Sequence, residues 1–297
     1  MLPLAGHFER VARACLRRLP LSDYQKTRLW ATSISQPQGP VRDWAYYRCI
    51  ELATRAFATP EGYSVAFQGA GDPNQSYSML EFGVANGQSF QTLLHFRDVW
   101  LSRMRLKNKV LALGFDTFEG IPASREGDTG LPWREGDFSA VNLQRLQELL
   151  ARKFRDFQLI QGKFAQTLDQ NLTLLRDLPP IFISIDCDYY SSTMDVFQRL
   201  LPDIALHGSL FYFDDVSINF GAEMTGELKA IREVNAGAFG SHIALVEHPL
   251  WIETGEIRHY KQVYRLFNLK TAEKQAQSRP ADQPLQLLDR KSRISPL

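Results

Sequence analysis

The 297-residue chain carries 34 basic and 33 acidic residues, a formal net charge of +1, and 44% hydrophobic residues. That balance gives no field to recruit nucleic acid or an anionic membrane, and the apolar share suffices for one large core. Three widely spaced cysteines, Cys15, Cys49 and Cys187, argue against a disulfide framework or a zinc site, and no apolar run approaches the ~20 residues of a membrane helix, so a cytoplasmic protein without a membrane span is expected.

Residues 1–70 read as a helical extension. Leu4, Phe8, Val11 and Cys15 share one side of an amphipathic segment whose Arg10, Arg13, Arg17 and Arg18 lie mostly elsewhere, a pattern that suits packing on the protein's own core better than targeting. Trp30, Trp44, Tyr46 and Tyr47 are expected to anchor that core rather than form a substrate platform. A strand over 77–84 then ends in Glu81-Phe82-Gly83-Val84-Ala85-Asn86-Gly87. Gly83 and Gly87 allow a sharp turn and close approach of a ligand, and the helix that follows, with Phe90, Leu93, Leu94, Leu101 and Met104, presents free N–H groups. Glu81 disfavours a pyrophosphate and favours a cationic or hydroxyl-bearing ligand.

The second strand, 109–115, ends at Asp116, where doubly wound folds hold ribose hydroxyls; an aspartate there also serves as a turn or helix cap. Residues 119–138, rich in Gly and Pro and bearing Trp133, are long and irregular enough for a lid. A helix with Leu143, Leu146, Leu150 and Phe154 leads to a strand over 157–161. The fourth strand, 180–186, ends in Asp186-Cys187-Asp188, and the fifth, 208–215, ends in Asp214-Asp215, with Met194, Phe197, Leu201 and Ile204 marking a helix between them.

If those two strands are parallel neighbours, four carboxylates converge where open α/β sheets bind ligands, and a hard divalent cation relieves their repulsion. A structural reading makes Asp188 a turn residue, Ser191, Ser192 and Thr193 helix caps, and Asp214-Asp215 a solvated pair. A further helix over 222–235 would turn Met224, Leu228 and Ile231 inward. The last strands, 243–248 and 262–269, have no helix between them and should pair antiparallel, which gives a doubly wound, seven-stranded α/β sheet with a reversed terminal strand. The core domain is thus 71–270, and the tail, 271–297, should be mobile.

Several segments together resemble the macrocin O-methyltransferase family of class I S-adenosylmethionine (SAM) methyltransferases. They are Glu81-Phe82-Gly83-Val84 with Gly87, Phe115-Asp116-Thr117-Phe118-Glu119-Gly120-Ile121-Pro122, Gly162-Lys163-Phe164 with Thr167-Leu168, Asp186 to Thr193, and Asp214-Asp215. The resemblance implies the Rossmann-like fold of class I methyltransferases, SAM as methyl donor, Mg2+ held by carboxylates, and a small-molecule hydroxyl acceptor, typically a sugar of a secondary metabolite. Carried over by position, it makes Asp186, Asp214 and Asp215 metal ligands, and sets Glu81, Gly83, Gly87, Asp116, Gly162 and Asp186 toward SAM. Where the family has Asp-Gly-Asp-Leu-Tyr-Glu-Ser-Thr, this chain has Asp-Cys-Asp-Tyr-Tyr-Ser-Ser-Thr, and residues 216–221 are also unusual; the carboxylates remain.

The chemistry agrees with that set. A sulfonium methyl is already activated, so the protein must aim a hydroxyl at it and take its proton, and Asp186 and Asp188 are the candidate bases. Hard oxygen ligands without clustered His or Cys suit magnesium better than zinc. Two other classes compete: a metal-dependent glycosyltransferase using the Asp-x-Asp pair, which leaves the 81–87 turn unexplained, and a catalytically silent SAM-fold binding protein. Homo-oligomerisation is left open.

Overall fold

The computed structural model describes residues 44–58, 75–106, 109–139, 142–250 and 261–277. The amphipathic segment with its arginines, Trp30, Cys15 and residues 278–297 lie outside the described residues.

All seven expected strands form: β1 (Tyr77–Phe82), β2 (Val110–Asp116), β3 (Phe157–Gln161), β4 (Pro180–Ile185), β5 (Leu210–Phe213), β6 (Ile243–Glu247) and β7 (Val263–Asn268). They make one sheet in the order β3-β2-β1-β4-β5-β7-β6. β1 to β5 run parallel, and β7 lies antiparallel between β5 and β6. β1, β4 and β5 are buried along their whole length, as central strands covered on both faces must be, whereas edge strand β3 is half-exposed.

Side-chain parity assigns each residue to a layer. Tyr77, Met79 and Ala112 pack with α1 (Trp44–Ala58), α2 (Gln88–Arg103) and α3 (Leu143–Ala151). Leu80, Phe82, Leu113 and Phe115 pack on the other face with α4 (Phe164–Asp177), α5 (Tyr190–Leu200) and α6 (Gly226–Asn235). In α1, Tyr46, Ile50, Ala53 and Phe57 recur at helical spacing and are all buried. Tyr46 meets Phe182 and Tyr212 edge-on, at 5.4 and 4.9 Å between centroids, and Tyr47 meets Phe96 at 5.0 Å. Both are core anchors.

Four details depart from the expectations. Helix α4 fills the connection between β3 and β4, where no helix is read from the sequence. Helix α3 stops at Ala151, although Phe154 is buried. Helix α6 starts at Gly226 rather than at 222, because a tight turn at Ile218–Gly221 holds Asn219 and Phe220 in left-handed conformations and Thr225 is extended; Met224 is therefore 72% exposed rather than inward. The chain beyond β7 continues as a helix, α7 (Leu269–Gln277), tied down by buried Asn268 and Thr271, where mobility from Thr271 onward is expected.

Candidate active site

Chain order reverses between β1 and β4, and the carboxyl ends of β1, β2, β4 and β5 meet there, which is the crevice position for ligands in open α/β sheets. Gly83 leaves β1 with a φ of +93° and its N–H donates to Phe115 O at 3.0 Å. A Cβ at this position would lie 1.7 Å from the carbonyl oxygen of Asp186, so the turn after β1 and the end of β4 share one wall. Gly87 starts α2 in a left-handed conformation with no side-chain cap of its own, and Asn86 Oδ1 accepts the Gln88 N–H at 3.1 Å instead. Asp116 bridges two loops: Oδ2 accepts the Ala85 N–H and Oδ1 the Phe118 N–H, each at 2.7 Å. Each oxygen keeps a second lone pair for a ribose hydroxyl. Gly162 docks its N–H on the Asp116 carbonyl at 2.9 Å.

Across the switch point, β4 and β5 continue their ladder past the last strand residues. Asp186 N–H donates to Phe82 O at 2.9 Å, and Asp214 N–H to Ile185 O at 3.1 Å. Carboxylate oxygens of Asp186, Asp214 and Asp215 consequently lie within 4.8 Å of one another. Three hard oxygens at that spacing fit a divalent cation. Tyr212 donates its hydroxyl to Asp214 Oδ1 at 3.0 Å.

Asp188 stands beside them with a φ of +60°, in a three-residue turn closed by Tyr189 N–H on Cys187 O at 2.5 Å. Such a conformation is strained for an aspartate and holds its carboxylate in one place. Burial, reinforced by the negative charge of Asp186, pushes Asp188 up to about 6; a hydrogen bond with Asp215 opposes this, as does the Trp133 N–H, which makes no full hydrogen bond of its own. Burial also raises the Cys187 thiol, so its inertness is expected.

Glu81 has a different surrounding from a crevice-facing acid. Parity turns it toward α1 and α2, where it is fully buried: Ser89 donates to Oε1 and Tyr46 to Oε2, both at 2.8 Å. The Tyr46 oxygen also lies 2.5 Å from Ser184 Oγ, and since a phenol has one hydrogen, Ser184 must donate to it. This chain of hydroxyls ties the N-terminal helix α1 to β1 and β4 directly beneath the crevice.

The 119–138 segment is tied to α5 and to the turn before α6, with Trp133 reaching Asp188. Asp128 accepts the Ser191 N–H at 2.8 Å and the Ser191 hydroxyl at 2.5 Å, so α5 is capped by a loop residue and not by its own Ser191, Ser192 or Thr193. Arg125 pairs with Asp195 at 2.7 Å, and Asn219 Nδ2 donates to Gly130 O at 2.6 Å, joining the loop to the other rim. Trp133 packs edge-on against Phe138 at 5.3 Å beside Asp188.

One group was not singled out in the sequence. Glu227, in the first turn of α6, is 1% exposed; Oε2 accepts the Asp215 N–H at 3.1 Å, while Oε1 is buried with no hydrogen-bond partner among the described residues. Burial first, then the charges of Asp215, Asp186 and Asp214, raise it well above the ordinary carboxylate range. A signal was present: Glu227 shares the i, i+4, i+7 stripe of Ile231 and Val234, where a charge is out of place.

No protein-family model matches the sequence, and no curated protein matches it. Among solved structures, the chain is similar to the calicheamicin methyltransferase CalS11, with 20% identity, 84% of this chain and 90% of that chain covered, and a TM-score of 0.52. It is also similar to the O-methyltransferase NovP, with 17% identity, 75% and 78% coverage and a TM-score of 0.47. A third is an O-methyltransferase from Bacillus cereus, with 15% identity, 77% and 84% coverage and a TM-score of 0.37. The fold is that of class I methyltransferases: a seven-stranded mixed sheet with one reversed strand, flanked by helices. Among the described residues no helix is long and apolar enough to cross a membrane.

Proposed function

We propose that this protein is a SAM-dependent, divalent-metal-assisted O-methyltransferase of the macrocin O-methyltransferase type, acting on a hydroxyl of a small molecule, a sugar of a secondary metabolite or glycan. The observation that carries this reading is the shared wall between Gly83 and Asp186, which sets a glycine turn suited to SAM against a carboxylate cluster suited to Mg2+. A glycosyltransferase reading accounts for the carboxylates alone and leaves the turn without a role.

In this reading Asp116 holds the ribose, and the turn from Gly83 to Gly87 ahead of α2 receives the polar end of the cofactor. Asp186, Asp214 and Asp215 hold the cation, which when bound supplies Lewis acidity that eases proton loss from an otherwise weakly acidic alcohol. Asp188, fixed by its turn next to Asp186, is placed to accept that proton, and Asp186 is the other candidate; the loop bearing Trp133 keeps the acceptor aligned and excludes water. Turnover of SAM to S-adenosylhomocysteine with a panel of glycosides tests the proposal. Tight SAM binding without turnover on any hydroxyl acceptor would favour a silent binding protein.

Asp116→Asn should weaken SAM binding by about tenfold to a hundredfold, corresponding to the ~1.5–3 kcal/mol of a charge-assisted hydrogen bond. Asparagine can accept only one of the two N–H groups that Asp116 holds, so thermal stability is measured beside calorimetric affinity to separate a loosened loop from the lost cofactor contact. An unchanged affinity would remove Asp116 from the cofactor site.

Trp133→Ala should raise the acceptor KM or lower kcat by about tenfold while SAM affinity stays within twofold, because the indole borders Asp188 and not the glycine turn. A loop that merely unfolds would instead lower thermal stability and weaken both ligands.

A further inference from the structure

We infer that Glu227 is a positioning residue of the cation site, setting Asp215 from behind and adding its own negative charge to the field that holds the metal. The inference rests on the proposed metal-assisted reading and goes beyond it to a residue outside the three-carboxylate cluster. The geometry divides the side chain between two tasks. Oε2 holds the Asp215 backbone N–H at 3.1 Å and so fixes where that residue leaves β5. Oε1 is buried and has no hydrogen-bond partner among the described residues, in a side chain only 1% exposed.

A buried carboxylate with an unpaired oxygen beside Asp215 is destabilising unless a positive charge arrives nearby. Among the described residues, the nearest basic side chain along the same helix does not supply one. Lys229, two residues on, lies over the Tyr190 ring at 3.8 Å with its ammonium toward Gly127 O. Asp215, whose N–H Glu227 holds, stands in a cluster with Asp186 and Asp214 whose oxygens lie within 4.8 Å of one another, so the charges that the described residues set beside Glu227 there are negative. A divalent cation among those three acids would therefore compensate Glu227 as well, through space and through Asp215. A carboxylate that orients a ligand from outside the coordination sphere typically changes metal affinity tenfold to a hundredfold.

Two substitutions separate charge from scaffolding. Glu227→Gln keeps an oxygen for the Asp215 N–H and removes the charge; Glu227→Leu removes both. Chelator-stripped wild-type protein and each variant are titrated with MgCl2 and MnCl2 by calorimetry, and the cation-induced shift in Tm is measured in parallel. The expected result is that Glu227→Gln binds either cation at least about tenfold more weakly, with a smaller Tm shift, while its cation-free form melts no lower than wild type. Wild-type affinity in Glu227→Gln would overturn the inference alone, and with weakened Glu227→Leu it would leave Glu227 only a backbone support. Failure of wild type to bind either cation would bring down the metal reading and this inference together. Should Glu227→Leu not fold, the Glu227→Gln comparison still decides.

Discussion

Asp214→Ala is expected to give a folded protein whose methyl transfer has fallen by at least about a thousandfold, or ~4 kcal/mol of transition-state stabilisation. The side chain lies at the end of β5, half-buried, where it contributes one of three oxygens spaced for a cation. Its removal leaves the apolar layers on both faces of the sheet untouched. Its removal costs the Tyr212 hydroxyl this acceptor, and Gln262 Nε2, 3.4 Å from the same oxygen, is a donor that does not replace it, so a structural penalty of about 1–2 kcal/mol is expected. A thermal melt close to wild type, combined with lost S-adenosylhomocysteine formation, is the signature. Excess chelator should abolish wild-type activity and added magnesium restore it; full activity under chelation would sink the metal mechanism and leave proton transfer to a carboxylate alone.

The parts of this molecule legible in its sequence are those fixed by one strand at a time. β1, β4 and β5 are continuous apolar runs because both their faces are covered, and their ends are marked by Gly83, Asp186 and Asp214. Whether β4 and β5 are neighbours needed only the parallel pairing that the intervening helix imposes.

What escaped depends on partners distant in sequence or on stripes diluted by polar residues. Helix α4 carries Phe164, Leu168, Leu172 and Leu175 at helical spacing, but Thr167, Asn171 and Thr173 fall among them and blur the pattern. Glu81 reads as a ligand-facing acid until the sheet's pleat turns it toward Tyr46, 35 residues away, and beside Tyr46 stands Ser184, 138 residues from that tyrosine. The cap of α5 comes from Asp128, 63 residues before Ser191, which no local cap rule can find. Such side-chain bonds are set by which elements pack together, and only the assembled fold determines that.

Gly83→Ala should be the most damaging single-methyl change in the described core. The added carbon would fall 1.7 Å from Asp186 O and 2.7 Å from its carbonyl carbon, and the φ of +93° is itself unfavourable for alanine. Neither side can yield cheaply. Gly83 N–H is bound to Phe115 O at 3.0 Å and Asp186 N–H to Phe82 O at 2.9 Å, so relief requires breaking the ladder between β1 and one of its neighbours. Overpacking plus backbone strain should exceed ~3 kcal/mol, a fall in Tm of at least about 6 °C for a chain of this size, if the variant folds at all. The damage should also be twofold in kind, with SAM and cation binding lost together, because the moved atom belongs to the residue that closes both sites. Gly87→Ala makes the control: its φ is +80°, but its new methyl would meet the Leu146 side chain at 2.5 Å, which can rotate away. It should lose only about 1–2 kcal/mol and keep cation binding. Equal melting temperatures for the two variants, or cation affinity retained in Gly83→Ala, would show that the wall between the turn and the carboxylates is softer than its hydrogen bonds require.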